Sequence, residues 1–263
     1  FQLKDSDFQF MHFSISDIRF LAIDVENMNS TLVAYFLRYR LMNHLNKTEW
    51  LVLLGLLLLS TIPSLGIIRL IELLNVDLNI MPANPRIEVE PMPAVFHIIS
   101  SITYCIFGAF QFLPNMRNYY PKWHKVSGRV LVLTGVISAS SGLWMTHYYA
   151  FPVSLQGNLL YLVRIMVGLL MVMFILLGLF FILKNKIPQH QGCMIRAYAI
   201  GQGAGTQSII FVIWMMIFDE PNGFTRDVLM TTAWIVNLAL AEWVINRVKL
   251  TSRTVIKTNY KAM

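Results

Sequence analysis

Residues 190–207 read HQGCMIRAYAIGQGAGTQ. They open an apolar segment that continues to Phe218, long enough to lie in a membrane. Yet the stretch carries His190, Arg196, glutamines and the glycines Gly192, Gly201, Gly203 and Gly205. Ionisable and polar groups are costly against lipid, so they should face the interior of a helix bundle. Small residues let neighbouring backbones approach closely. The segment is therefore expected to be a central helix, polar at its start and tightly packed at its middle.

Working outward, the rest of the chain has the same character. Of 263 residues, 56% are hydrophobic and 13% are charged, and the mean hydropathy is +0.57. That excludes an ordinary soluble domain and predicts an all-α protein spanning a lipid bilayer several times. The net charge of +7 does not imply a nucleic-acid partner, because the basic residues stand at the ends of apolar segments. Cys105 and Cys193 each lie inside an apolar segment and in no C-x-x-C pattern, so they read as buried thiols.

Six spans are expected, at about 51–74, 94–113, 126–148, 159–183, 191–218 and 228–246. Together they make one transmembrane domain, residues 50–248. A basic cytoplasmic tail, 249–263, follows. Residues 1–49 read as an N-terminal extension. Its first 27 residues are acidic and precede a candidate internal start at Met28, and residues 28–49 suit a helix lying on the membrane surface. Pro63 is placed to kink the first span. Residues 75–93, with four prolines and three acids, are expected to form an external loop with room for a short surface helix. PNMRNYYPKWHK, 114–125, reads as a polar link.

Six spans put both termini on one side. Thirteen lysines and arginines fall on the side of the termini: Arg38, Arg40, Lys47, Arg117, Lys122, Lys125, Lys184, Lys186, Arg247, Lys249, Arg253, Lys257 and Lys261. Only Arg86 and Arg226 fall on the other side. Basic residues stay in the cytoplasm, so both termini are expected there, with the protein in a bacterial inner membrane.

The candidates for chemistry stand at span ends. His124 and His190 are expected near the inner face, and His97 and His147 near the outer face. Two imidazoles from different helices can ligate the iron of haem b, and arginines can pair with its propionates. That makes His124 with His190 one candidate metal pair and His97 with His147 a second, with Arg129 and Arg196 as propionate partners. His124 and His147 stand 23 residues apart on one helix, about 35 Å. Both therefore lie at interfaces, farther apart than two haems within one bundle usually need. The same histidines also suit a plain role, capping helices and meeting lipid headgroups.

A second reading uses the inner cluster of Arg129, Arg196, His124 and His190 with Glu242. Arginine forks match a phosphate or carboxylate, so the cluster could hold a headgroup or a small anion. Equally, Arg196 and Glu242 could form an internal ion pair that fastens helices. Both lie about 6–8 Å below the inner interface at ~1.5 Å per residue. Arg164 sits in the outer half of its span and is outside this cluster. GQGAG, 201–205, follows no strand and is read as packing glycines rather than a nucleotide loop. The weak likeness of HKVSGRVLVLTG to HQGCMIRAYAIG leaves a duplicated half-bundle conceivable.

Four ordered motifs carry a resemblance over roughly 94–248. They are the run from His97 (HIISSITYCIFGAFQF), Arg117 with HKVSGR at 124–129, HQGCMIRAYA from His190, and NLALAEW from Asn237 to Trp243. The chain resembles a family of multi-pass bacterial membrane proteins catalogued as a domain of unknown function. That family is distantly similar to the cytochrome b561 and ferric-reductase transmembrane group. The resemblance implies a multi-pass bacterial membrane protein without an established activity. The histidines make a haem b electron carrier the leading expectation; the alternative is a non-enzymatic membrane protein, a transporter or a subunit working with other membrane subunits, that binds a headgroup or small anion at Arg129, Arg196 and Glu242. Gln191-Gly192-Cys193 stands where the family more often has arginine and tryptophan, and Gln207 where it often has a second arginine.

Overall fold

Helices in this chain start on prolines. Proline lacks an N–H and has φ already set, so it costs little in a first turn whose donors are unpaired anyway. Pro85, Pro91, Pro114 and Pro121 each open a helix, and Pro188 sits in the first turn of another. The computed structural model describes residues 46–74, 80 and 84–261, with side chains to Arg247. The expected surface helix within 28–49, most of the 75–83 loop and the side chains of the tail lie outside the described residues.

The elements are α1 (Lys47–Ser64), α2 (Gly66–Leu73), α3 (Pro85–Val89), α4 (Pro91–Gln111) and α5 (Pro114–Tyr119). They continue with α6 (Pro121–Tyr148), α7 (Asn158–Leu183), α8 (Ile187–Gly201), α9 (Gly203–Met215) and α10 (Gly223–Lys261). Among the described residues there is no strand. Five helical runs are long and apolar enough to cross a membrane: Lys47–Leu73, α4, α6, α7 and Gly223–Arg247 of α10.

Two expectations are corrected here. The fifth span, 191–218, is not one continuous helix; it is α8 followed by the shorter apolar α9, interrupted at Gln202. Glycines on both sides of Gln202 weaken the helix there, and side chains from neighbouring helices meet the backbone groups that the break exposes. The stretch 114–125 is not a mere link. It folds as α5 and the first turn of α6, because Pro114 and Pro121 start helices readily.

The chain alternates direction through the bundle. One end, here the His190 end, gathers the starts of α1, α6 and α8 and the ends of α4 and α7. The other, the Asp227 end, gathers the starts of α4, α7 and α10. Helix α4 packs along α6, α6 along α7, α7 along α8, and α10 against both α8 and α9. The core lies among α4, α6, α7 and α8, where Tyr104, Ala139, Met171, Ile175, Ala197 and Tyr198 are buried.

Helix α1 joins through the turn that holds Pro63. Pro63 has no N–H, so the carbonyl of Leu59, four residues back, loses its helical donor. Gly205 of α9 sits against that carbonyl. A Cβ there would overlap the Leu59 oxygen and lie 2.9 Å from the Leu59 carbonyl carbon. Only glycine lets the two backbones come so close.

Candidate functional site

Polar side chains inside the bundle gather at three levels. The middle level is the interruption between α8 and α9. Carbonyls freed by a broken helix cannot be left facing lipid, because nothing there donates to them. The carbonyls of Ala199, Ile200 and Gly201 are met by side chains. Asn237 Nδ2 donates to Ala199 at 3.0 Å, Trp234 Nε1 to Ile200 at 3.3 Å, and Cys105 Sγ to Gly201 at 3.5 Å. The donors come from α10 and α4, so the break ties three parts of the bundle together.

Gln202 itself is buried and closes the network. Its Nε2 donates to Ser60 Oγ at 2.9 Å and to the Tyr198 hydroxyl at 2.6 Å. The Tyr198 hydroxyl in turn donates a hydrogen bond to the Cys105 carbonyl at 2.7 Å. Thr206 Oγ1 donates to Asn237 Oδ1 at 2.8 Å. Each of these donors has an acceptor, and the network holds no carboxylate, imidazole or amine. Chemically it fastens α1, α4, α8, α9 and α10. The glycines around it make room: a Cβ on Gly201 would press on Tyr104 at 2.9 Å, and one on Gly203 would lie 2.8 Å from Trp234 Cδ1.

At the His190 end, Arg196 of α8 faces Glu242 of α10. The pairing is bidentate: Nη2 donates to Oε2 at 2.8 Å, and Nε contacts Oε1. The Arg196 guanidinium also lies 5.7 Å from the centre of the Phe174 ring. Gly192, one turn earlier, leaves space for it, since a Cβ there would stand 3.3 Å from Arg196 Nη1. Arg129 is not drawn into this pair. It is exposed on α6, which packs on α4, α5 and α7, whereas the pair lies between α8 and α10.

His190 Nδ1 is 2.9 Å from the Gly178 carbonyl of α7. A carbonyl only accepts, so Nδ1 donates, and in the neutral imidazole Nε2 then carries the lone pair. His124, half-buried on α6, lies within electrostatic reach of His190 and of Arg117. The structure therefore brings His124 and His190 to one end, on different helices.

His97 and His147 turn to different neighbours. His97 of α4 packs on Gly142 of α6, with Nδ1 2.9 Å from the Ser138 carbonyl. His147 is exposed on α6, with Nδ1 2.9 Å from the Tyr161 hydroxyl of α7. Asp227 gives this end its main fastening. It is buried at the start of α10 and accepts from the Gly157 and Leu160 N–H groups, each at 3.1 Å. That carboxylate caps the first turn of α7 from another helix, where the helix dipole favours negative charge. In the loop after α6, Tyr149 donates its hydroxyl to the Glu90 carbonyl at 2.6 Å. Burial, with the Glu90 carboxylate adding to it, holds that phenol above its ordinary range.

Sequence reasoning did not single out Gln202, Ser60, Trp234 or Asp227. A polar residue flanked by glycines inside an apolar run was the available signal for Gln202. Nothing local marked Asp227, whose partners lie about 70 residues away. Among the described residues no three His, Cys, Asp or Glu side chains gather as metal ligands.

Helices with apolar outer faces, a polar network held inside, and charges concentrated at both ends define a polytopic helical membrane protein, one that sits in a lipid bilayer. Residues 94–245, from α4 into α10, match the family described as "Predicted membrane protein (DUF2306)", and the chain belongs to that family. No curated protein and no solved structure matches the chain.

Proposed function

We propose that the protein carries haem b at its His190 end, with His124 and His190 as axial ligands, and passes electrons in the membrane. One observation supports this most directly: two imidazoles from different helices lie within electrostatic reach of each other at one end, and the Gly178 carbonyl engages His190 Nδ1, which leaves Nε2 outside that contact. Histidines that hold metals typically donate their other N–H to a carbonyl or carboxylate in this way. The residues thus fit a bis-imidazole haem, which when bound supplies a one-electron redox centre. Arg117, within electrostatic reach of His124, is the propionate partner in this reading, since Glu242 already occupies the fork of Arg196. For the same reason the geometry favours a fastening role for Arg196 and Glu242 over a headgroup or anion site there.

In this reading α8 and α9 together make a sixth crossing. Both termini lie in the cytoplasm, and the membrane is a bacterial inner membrane. The distant likeness to the cytochrome b561 and ferric-reductase group belongs to the same proposal. The test is a visible spectrum. Protein purified from haem-sufficient cells and reduced with dithionite is expected to show a b-type α-band, and His190→Ala to abolish it. A colourless preparation sinks the proposal.

A further inference from the structure

We propose that the Asp227 end holds a phosphate group between Arg86, Arg164 and Arg226. These arginines come from three elements: α3, the second turn of α7, and the first turn of α10. Phe151, in the loop after α6, draws two of them together. The Arg86 guanidinium lies 4.6 Å from the centre of its ring and that of Arg164 lies 5.3 Å away. Arg164 is within electrostatic reach of both Arg86 and Arg226. Arg226 in turn stacks on Phe211 at 5.0 Å.

Three guanidiniums repel one another, and a membrane bundle tolerates such a group only with compensating anions. Asp227 offsets part of the charge of Arg164 and Arg226, and Glu220 part of that of Arg226, but among the described residues neither acid forms an ion pair with them. Both Asp227 oxygens accept backbone N–H groups of α7. Glu88 accepts the Asn84 N–H at 3.2 Å. The Glu90 carboxylate stands beside Tyr149, and Asp219 and Glu220 are exposed, with Glu220 in reach of Arg226. Among the described residues, none of the three arginines has a carboxylate oxygen within 4.0 Å.

Their hydrogen bonds are also few for groups with five N–H donors each. Arg86 Nε donates to Asn84 Oδ1 at 3.1 Å. Arg164 donates to Gln156 Oε1 and, at 3.9 Å, to Met230 Sδ. Arg226 Nε is buried with no partner. A buried N–H without an acceptor is costly, and a ligand oxygen would supply one. Donors arriving from three elements suit a tetrahedral oxyanion better than a flat carboxylate, which one or two forks satisfy. A free phosphate ion and the phosphodiester of a lipid headgroup offer the same oxygens.

The test uses the full chain, stripped of lipid in neutral detergent, with thermal unfolding followed by tryptophan fluorescence. One arm titrates sodium phosphate against sodium chloride at equal ionic strength. The other dopes the micelles with short-chain phosphatidylglycerol. A saturating rise in midpoint with phosphate identifies a soluble anion, and a rise with the lipid alone identifies a headgroup. Arg164→Gln and Arg226→Gln are each expected to weaken the response about tenfold, as loss of a charged hydrogen bond does. Lys184→Gln, at the far end, leaves it unchanged. Without phosphate or lipid, Arg226→Gln is expected to unfold at the wild-type midpoint or above it, because it relieves repulsion. If Arg164→Gln does not fold, Arg86→Gln takes its place. No rise in either arm, variants that respond like wild type, or an Arg226→Gln protein that is less stable without ligand would each overturn the proposal.

Discussion

The contact between Gly205 and the Leu59 carbonyl can be tested by adding one methyl group. In Gly205→Ala the new Cβ overlaps the carbonyl oxygen, lies 2.8 Å from Leu59 Cγ and 2.9 Å from the carbonyl carbon. Backbone cannot swing aside as a side chain can, so α9 must draw back from α1 by roughly 1 Å to restore ordinary contact. That withdrawal pulls on the Ser60–Gln202 hydrogen bond, now 2.9 Å, which lies one residue from Leu59 and three from Gly205. Overpacking costs about 1–3 kcal/mol, and a strained buried hydrogen bond adds about 1 kcal/mol. The expected total is about 2–4 kcal/mol, a fall of several degrees in the unfolding midpoint in detergent. Gly55→Ala is the internal control. Nothing lies within 4 Å of a Cβ there, so the change is expected to be neutral or to stabilise α1 slightly through helix propensity. If the two variants unfold together, the close approach of α1 and α9 is not as described, and the role given to Pro63 goes with it.

Glu242→Gln and Arg196→Gln should each lower the midpoint, and the double variant should lose less than the two losses added. With side chains 25% and 47% exposed, the coupling is expected to be about 0.5–1 kcal/mol, and strict additivity would remove the pair. For topology, reporter fusions after Lys125, after Lys186 and at the C-terminus are expected in the cytoplasm, and fusions near Arg86, Gln156 and Asn222 outside. One reversed reporter among the inner loops would refute six crossings.

Residue types along the chain are enough to make this a helical membrane protein. Long apolar runs decide that, because the cost of exposing backbone to lipid leaves helices as the answer for such runs. The sequence also marked which residues were too polar to face lipid: His190, Arg196, Asn237 and Glu242 were legible from residue type alone. The glycines at 201–205 were legible as packing residues, but not what they pack against.

Partners and interruptions were decided by tertiary structure. Helix α7 is apolar almost all round, so its sequence does not say which face is inside; yet Ile175 is fully buried and Leu176, beside it, is 54% exposed. Membership of the 191–218 run suggested one helix, and Gln202 broke it, because Asn237, Trp234 and Cys105 from distant segments were in place to satisfy the freed carbonyls. Arg164 read only as a charge in the outer half of its span, outside the inner cluster, until Phe151 joined it to Arg86 and the start of α10 brought Arg226 within electrostatic reach. Composition reports what each residue avoids; only the folded bundle supplies the neighbour it meets, because those neighbours lie tens of residues away along the chain.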